Sequence, residues 1–162
     1  MKPATAPRSI GVLVGLLALC ALVGWLGSAV TLPKVEGWYA ALHKPFFSPP
    51  NWAFGPAWTI LYVCMAVAAW RIWRTESDQP TRRRALWLWT AQLVFNLSWS
   101  YAFFGAESPL LALVVIVVLE ALILAAITVF SRLDGWAAGL MIPYGVWVAY
   151  ATALNSAILA LN

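Results

Sequence analysis

Charge is scarce in this chain. Lys and Arg number 10 and Asp and Glu 6 among 162 residues, so 10% of the sequence is charged. A soluble domain carries about 25%, and this scarcity excludes a polar shell around a water-soluble core. Histidine occurs once, as His43, in a segment with no nearby cysteine or second ligand. It reads as solvated or capping, not as a metal or haem ligand. Cysteine occurs twice, as Cys20 and Cys64, both inside apolar runs. They read as small buried hydrophobes, which leaves no disulfide framework and no metal site. No Ser-His-Asp set, phosphate-binding glycine loop or pair of intramembrane carboxylates is present, so no catalytic constellation is legible. No internal repeat supports an inverted-repeat transporter. Glu120 is the sole acid deep in an apolar run, which makes it a candidate functional group. A place against a partner helix, or in the seam of a dimer, is the alternative.

Apolar residues fill what charge leaves free. They make up 63% of the chain, and the mean hydropathy is +0.81. A bilayer-spanning helix needs roughly 20 mostly apolar residues, and five runs qualify: 9–32, 51–73, 85–104, 109–130 and 136–161. None shows the period-2 alternation of an outer-membrane barrel. The expectation is an all-α membrane protein, residues 1–162 forming one bundle of five transmembrane helices. Lys2 and Arg8 precede the first run as they would a signal peptide, but Ile10–Val30 is longer than the usual apolar core of one. We read it as a retained helix.

Punctuation supports these boundaries. Ser48-Pro49 and Ser108-Pro109 read as caps with proline at the first helical position, for the second and fourth helices. Asp134 can cap the fifth, and Gly105 ends the third. Loops at 75–81 and 131–135 are short, and only 33–48 is long. Pro56 and Pro143 fall inside the second and fifth runs and favour kinks, either plain packing features or breaks that line a cavity. With five spans, Lys2, Arg8, Arg71, Arg74, Arg82, Arg83, Arg84 and Arg132 share one side, leaving Lys34 and Lys44 on the other. The positive-inside rule puts the N-terminus in the cytoplasm and the C-terminus outside, as suits a bacterial membrane. The Arg82–Arg84 run reads as an anchor on anionic lipid, not as a nucleic-acid site.

Tryptophan is abundant, with 11 copies. Trp25, Trp38, Trp70, Trp73, Trp87 and Trp136 lie near span ends, where an aromatic belt explains them. Trp58, Trp99 and Trp147 lie deeper; Trp58 is about 12 Å in at 1.5 Å per residue. An indole N–H there needs a partner that lipid cannot supply. Trp89, Gln92, Asn96, Trp99 and Phe103 share one face of the third helix by 3-4 spacing. That face is either a hydrogen-bonded helix seam or the wall of a ligand pocket. The fifth helix adds Tyr144, Trp147, Ala151 and Leu154, with Asn155 beside them. A pocket of Trp, Asn and small residues under the aromatic 33–48 loop suits a flat, largely apolar guest.

These residues carry a resemblance. Trp38-Tyr39, Lys44-Pro45, Pro49-Pro50, Trp52, Phe54, Pro56 and Trp58-Thr59 resemble the loop-one and helix-two signature of the translocator proteins. The family is also called the tryptophan-rich sensory proteins, peripheral-type benzodiazepine receptors or TspO/MBR. Gln92-Leu93, Asn96 through Trp99, Phe103-Phe104-Gly105, Pro143-Tyr144, Trp147, Ala151-Thr152 and Leu154-Asn155 continue it in order over nearly the whole chain. The resemblance implies a five-helix receptor, sensor or translocator that binds protoporphyrin IX or haem and requires no cofactor. Sterols and benzodiazepine-type ligands are also implied, as is a homodimer. The implied ligand-binding residues are Tyr39, Trp58, Asn96, Trp147, Ala151 and Leu154, to which the face of the third helix adds Trp99. Light-dependent porphyrin degradation through Trp58 and Trp147, or small-molecule transport, are the alternatives. Two departures stand out. The chain after Leu154 lacks the Tyr and Arg of the animal cholesterol pattern, and Val115 stands where many members have an acid.

Overall fold

The computed structural model describes the backbone of residues 6–162 and side chains from Ser9 onward. Lys2 and the side chain of Arg8, both part of the charge asymmetry, lie outside the described residues. All regular structure in the described residues is helical. The elements are α1 (Ala6–Val35), α2 (Trp38–Ala41), α3 (Phe54–Arg74), α4 (Gln79–Ser100), α5 (Pro109–Ser131) and α6 (Gly135–Leu161). A 3-10 turn, Asn51–Ala53, leads into α3, and a π-helical turn, Tyr101–Gly105, extends α4.

Among the described residues, four stretches are long and apolar enough to cross a membrane: Ser9–Val35, Asn51–Arg74, Pro109–Ser131 and Gly135–Leu161. The expected third span, 85–104, falls on α4 and the π turn. Helix α4 is 22 residues long, but Arg82, Arg83, Arg84, Gln92 and Asn96 lower its hydropathy. Composition therefore qualifies four helices, not five. Neighbours around the bundle run α1, α3, α6, α5, α4 and back to α1.

The long apolar helices turn a close-packed stripe inward and a merely greasy one toward lipid, most plainly in α5. Helix α5 buries Ala112, Ile116, Leu119, Ile123, Ala126 and Phe130 at strict 3-4 spacing. Its Leu110, Val114, Val117 and Leu124 face out. Small residues at α3 positions Ala66, Ala68 and Ala69, all fully buried, let the backbones approach closely. Trp25, Trp52, Trp87 and Trp136 are exposed, as belt residues are.

Two sequence expectations need correcting. Ser48-Pro49 does not cap the second membrane helix, because α3 begins at Phe54 with no side-chain cap. Pro56 then occupies the first turn of α3, where its missing N–H has no helical acceptor to lose. A kink at Pro56 is therefore not required; Pro143 does lie inside α6. The other caps form. The Ser108 hydroxyl accepts from Leu111 N–H, and the Asp134 carboxylate accepts from Trp136 and Ala137. Asp78 caps α4, accepting from Thr81.

Asp134 also joins two helices at the arginine-rich end. Arg71 Nε and Nη2 donate to its two oxygens at 2.9 and 3.2 Å. Partial burial works to raise this carboxyl, but the Arg71 hydrogen bond, the Ala137 N–H and the Arg71 charge outweigh it, and its pKa lies below the usual carboxylate value. A carboxyl depressed by folding stabilises fully above its unfolded pKa of about 3.9 and loses that contribution as pH falls through the folded value. Thermal melts should therefore show stability declining toward acid pH over that window, with the slope flattened in Asp134→Asn.

Candidate functional site

Three polar side chains meet where α3, α4 and α6 converge. Tyr62 Oη donates to Asn96 Oδ1 at 2.8 Å, and Asn96 Nδ2 donates to Tyr144 Oη at 3.0 Å. Asn96 is 4% exposed and Tyr144 fully buried, so neither can turn to bulk water or a lipid headgroup instead. Position 24 helps place Tyr62. A Cβ added at Gly24 of α1 would stand 3.0 Å from the Tyr62 ring, so glycine leaves room for that ring against α1.

Aromatic rings rise from this floor toward the end that carries α2. Trp58 lies one turn from Tyr62 on α3, and their rings are 5.5 Å apart and tilted by 32°. Trp58 also meets Tyr144 at 6.2 Å and Trp147 at 6.4 Å, both edge to face. Phe54 closes on Trp147 at 6.0 Å, and Tyr150 approaches it at 5.8 Å. Ala151, one turn beyond Trp147, packs against the same core.

Tyr39 and Leu154 belong to a second apolar cluster with Phe103, Phe104 and Ile158. Tyr39 sits edge-on to Phe103 at 6.2 Å. Burial, reinforced by the neighbouring Tyr150, pushes its hydroxyl above the usual tyrosine value, so it is a neutral donor at pH 7. Trp99 bridges the clusters. Its ring stacks on Phe103 at 5.3 Å, and its Nε1 donates to Asn155 Oδ1 at 3.1 Å. Asn155 Nδ2 in turn donates to the Pro109 carbonyl at 2.8 Å. Trp89 Nε1 donates to the Met65 carbonyl at 3.0 Å. The polar face of α4 is therefore a helix seam at Trp89 and Trp99, and at Asn96 it is also the floor of an aromatic enclosure.

The segment over this enclosure is tied down from within and without. Lys44 Nζ donates to the Tyr39 carbonyl at 2.8 Å and to Ala40 and Leu42, and lies 4.8 Å from the Tyr39 ring centroid. His43 N–H donates to Asn162 Oδ1, and Asn162 Nδ2 donates back to the His43 carbonyl. Tyr150 Oη donates to the Phe47 carbonyl at 2.6 Å. The single histidine thus acts through its backbone.

Of the residues singled out by sequence, Trp58, Asn96, Trp147 and Ala151 share the inner cluster, Tyr39 and Leu154 the outer one, and Trp99 joins them. Tyr62, Phe54 and Tyr150 were not singled out as site residues, although Phe54 belongs to the helix-two signature. The signal for Tyr62 was its position four residues after Trp58, which puts it on the same helix face. A cavity of about 600 Å³ lies elsewhere, lined by Leu19 and Val23 of α1 and by Leu93, Leu97, Tyr101 and Val115 among others. None of the converging residues lines it. Among the described residues no three His, Cys, Asp or Glu come together as metal ligands would.

Comparison with known proteins gives a consistent result. The TspO/MBR family pattern matches residues 16–161. A tryptophan-rich protein TspO of Archaeoglobus fulgidus is 40% identical over 141 residues, covering 86% of this chain and 90% of that one. One of Chlorobaculum tepidum is 41% identical over 147 residues, covering 90% and 92%. The translocator protein of Sus scrofa is 34% identical over 148 residues, covering 88% and 85%.

Proposed function

Because the chain belongs to the TspO/MBR family, we propose that this integral membrane protein is a receptor or translocator whose guest is a tetrapyrrole such as protoporphyrin IX or haem. The observation that carries the reading is the convergence of Trp58 and Trp147 over the Tyr62–Asn96–Tyr144 bridge. Indole faces suit a flat conjugated ring, and a buried amide flanked by two phenols suits a polar edge. The site offers a neutral polar floor and no intramembrane cation, so recognition rests on shape, stacking and a few hydrogen bonds. Trp58 and Trp147 meet edge to face, so entry of a disc parts them, and the strap at Phe47, His43 and Asn162 yields with them.

Helix α4 completes the bundle as a fifth span in this reading. Its neighbours α1, α3 and α5 keep Gln92 and Asn96 away from lipid, which removes the cost that its composition implies. Arg71, Arg74, Arg82, Arg83, Arg84 and Arg132 mark the cytoplasmic end, and the α2 strap and the C-terminus lie outside. Titration of the protein in lipid nanodiscs with protoporphyrin IX, read by tryptophan quenching, tests the proposal. Saturable quenching at a stoichiometric endpoint supports it, and linear, non-saturating quenching refutes it.

A further inference from the structure

The hydrogen bonds of the Asn96 floor leave polar groups over. Gln92 lies one turn from Asn96 on α4, roughly 6 Å nearer the arginine-rich end at 1.5 Å per residue. It is fully buried, and neither its Oε1 nor its Nε2 has a partner among the described residues. Glu120 of α5, the adjoining helix, is half-buried, and its Oε2 is shielded and equally unpartnered. Tyr144 accepts from Asn96, which leaves its own hydroxyl proton to give, and Ile123, one turn from Glu120 on α5, packs against Gly145, the residue next to Tyr144. The nearby indole offers no relief, because Trp89 Nε1 is committed to the Met65 carbonyl.

A primary amide with both ends idle in an apolar interior is costly, and native proteins satisfy such groups with protein or with buried water. Lipid chains supply neither donor nor acceptor. The inventory here is two N–H donors and a carbonyl on Gln92, a carboxyl oxygen on Glu120 and a hydroxyl proton on Tyr144. That mixture of donors and acceptors matches water, which typically makes about three hydrogen bonds where it is buried. A metal ion fits poorly, since among the described residues Glu120 belongs to no group of three His, Cys, Asp or Glu side chains.

We propose that Gln92, Glu120 and the spare hydroxyl of Tyr144 bound an internal hydration site in the middle of the bundle, directly beneath the aromatic enclosure. It gives the bundle core exchangeable protons and extends the polar floor by one helical turn. The site stands whether or not the guest above it is a tetrapyrrole.

The test needs no guest. In the full chain reconstituted in lipid bilayers, proton-detected solid-state NMR measures magnetisation transfer from water to side-chain N–H groups. The Gln92 amide is assigned by sequential connectivity and checked by its loss in Gln92→Leu. We expect transfer to Gln92 several-fold stronger than to the Trp89 indole, which is buried but already bonded to protein. Glu120→Leu should reduce the Gln92 signal several-fold while leaving Trp89 unchanged. A Gln92 amide as dry as the Trp89 indole in the unmodified protein overturns the proposal. An undiminished Gln92 signal in a folded Glu120→Leu protein overturns the shared site.

Discussion

Replacing Asn96 by leucine should destabilise the protein by about 2–4 kcal/mol, although leucine keeps the branching and the number of heavy atoms of asparagine. The side chain links Tyr62 of α3 to Tyr144 of α6 through two hydrogen bonds at 2.8 and 3.0 Å. Leucine strips the Tyr62 hydroxyl of its acceptor and the Tyr144 oxygen of its donor, and each buried polar group left short of a partner costs about 1–3 kcal/mol. The half-buried Tyr62 recovers part of its loss by turning, which keeps the total below the sum. The same reasoning forecasts a rescue. In a triple variant, Tyr62→Phe, Asn96→Leu, Tyr144→Phe, no hydroxyl remains to satisfy, so stability should return to within about 1 kcal/mol of the unmodified protein. Thermal denaturation in detergent, followed by circular dichroism, compares the two. A triple variant no more stable than Asn96→Leu would show that the bridge works through packing and not through hydrogen bonding. The rescued protein should also bind its guest poorly, since it lacks the floor that holds the polar edge.

The Tyr62–Asn96–Tyr144 bridge is only partly legible in the sequence. Asn96 and Tyr144 declared themselves, one by standing as an amide in an apolar run and the other by sharing a helix face with Trp147. Tyr62 did not, because a tyrosine among apolar residues in a span carries no polar cost until a partner is known. The long helices were legible for the reason that membrane proteins usually are: about 20 apolar residues in a row have few other uses. Caps at Ser108 and Asp134 were legible because serine and aspartate just before an apolar run accept the first free N–H groups. The cap at Asp78 was hidden by three arginines, which made the first turn of α4 look like a loop. The 33–48 segment was the least legible. Its short helix is fixed by Lys44, and its course by Asn162 and Tyr150, more than 100 positions away along the chain. Local propensity carries no trace of such partners. The indoles at 58 and 147 were placed in the interior by depth alone, but the edge-to-face contact between them depends on how α3 and α6 rotate against each other.

That contact makes the joint substitution Trp58→Ala, Trp147→Ala the sharpest probe of the proposed guest. Each indole presents a face that a planar ring covers on binding, worth about 1.5–2.5 kcal/mol in removed area and stacking. Loss of both should weaken protoporphyrin IX binding by roughly 100- to 1,000-fold, at 1.4 kcal/mol for each factor of ten. Single alanine variants should lose about 10- to 50-fold, and their effects should not simply add, because removing either ring frees the other to reorient. Trp58→Phe and Trp147→Phe keep an aromatic plane in place and should stay within about tenfold of the unmodified protein. The contrast between Phe and Ala separates stacking from bulk. Both indoles are only partly buried, so the alanine variants retain the Asn96 bridge and the α5 core and should remain helical, as a melt followed by circular dichroism verifies before titration. Unchanged affinity in a folded double variant would move the guest away from this enclosure, and the apolar groove beside α1 would become the next place to look for it.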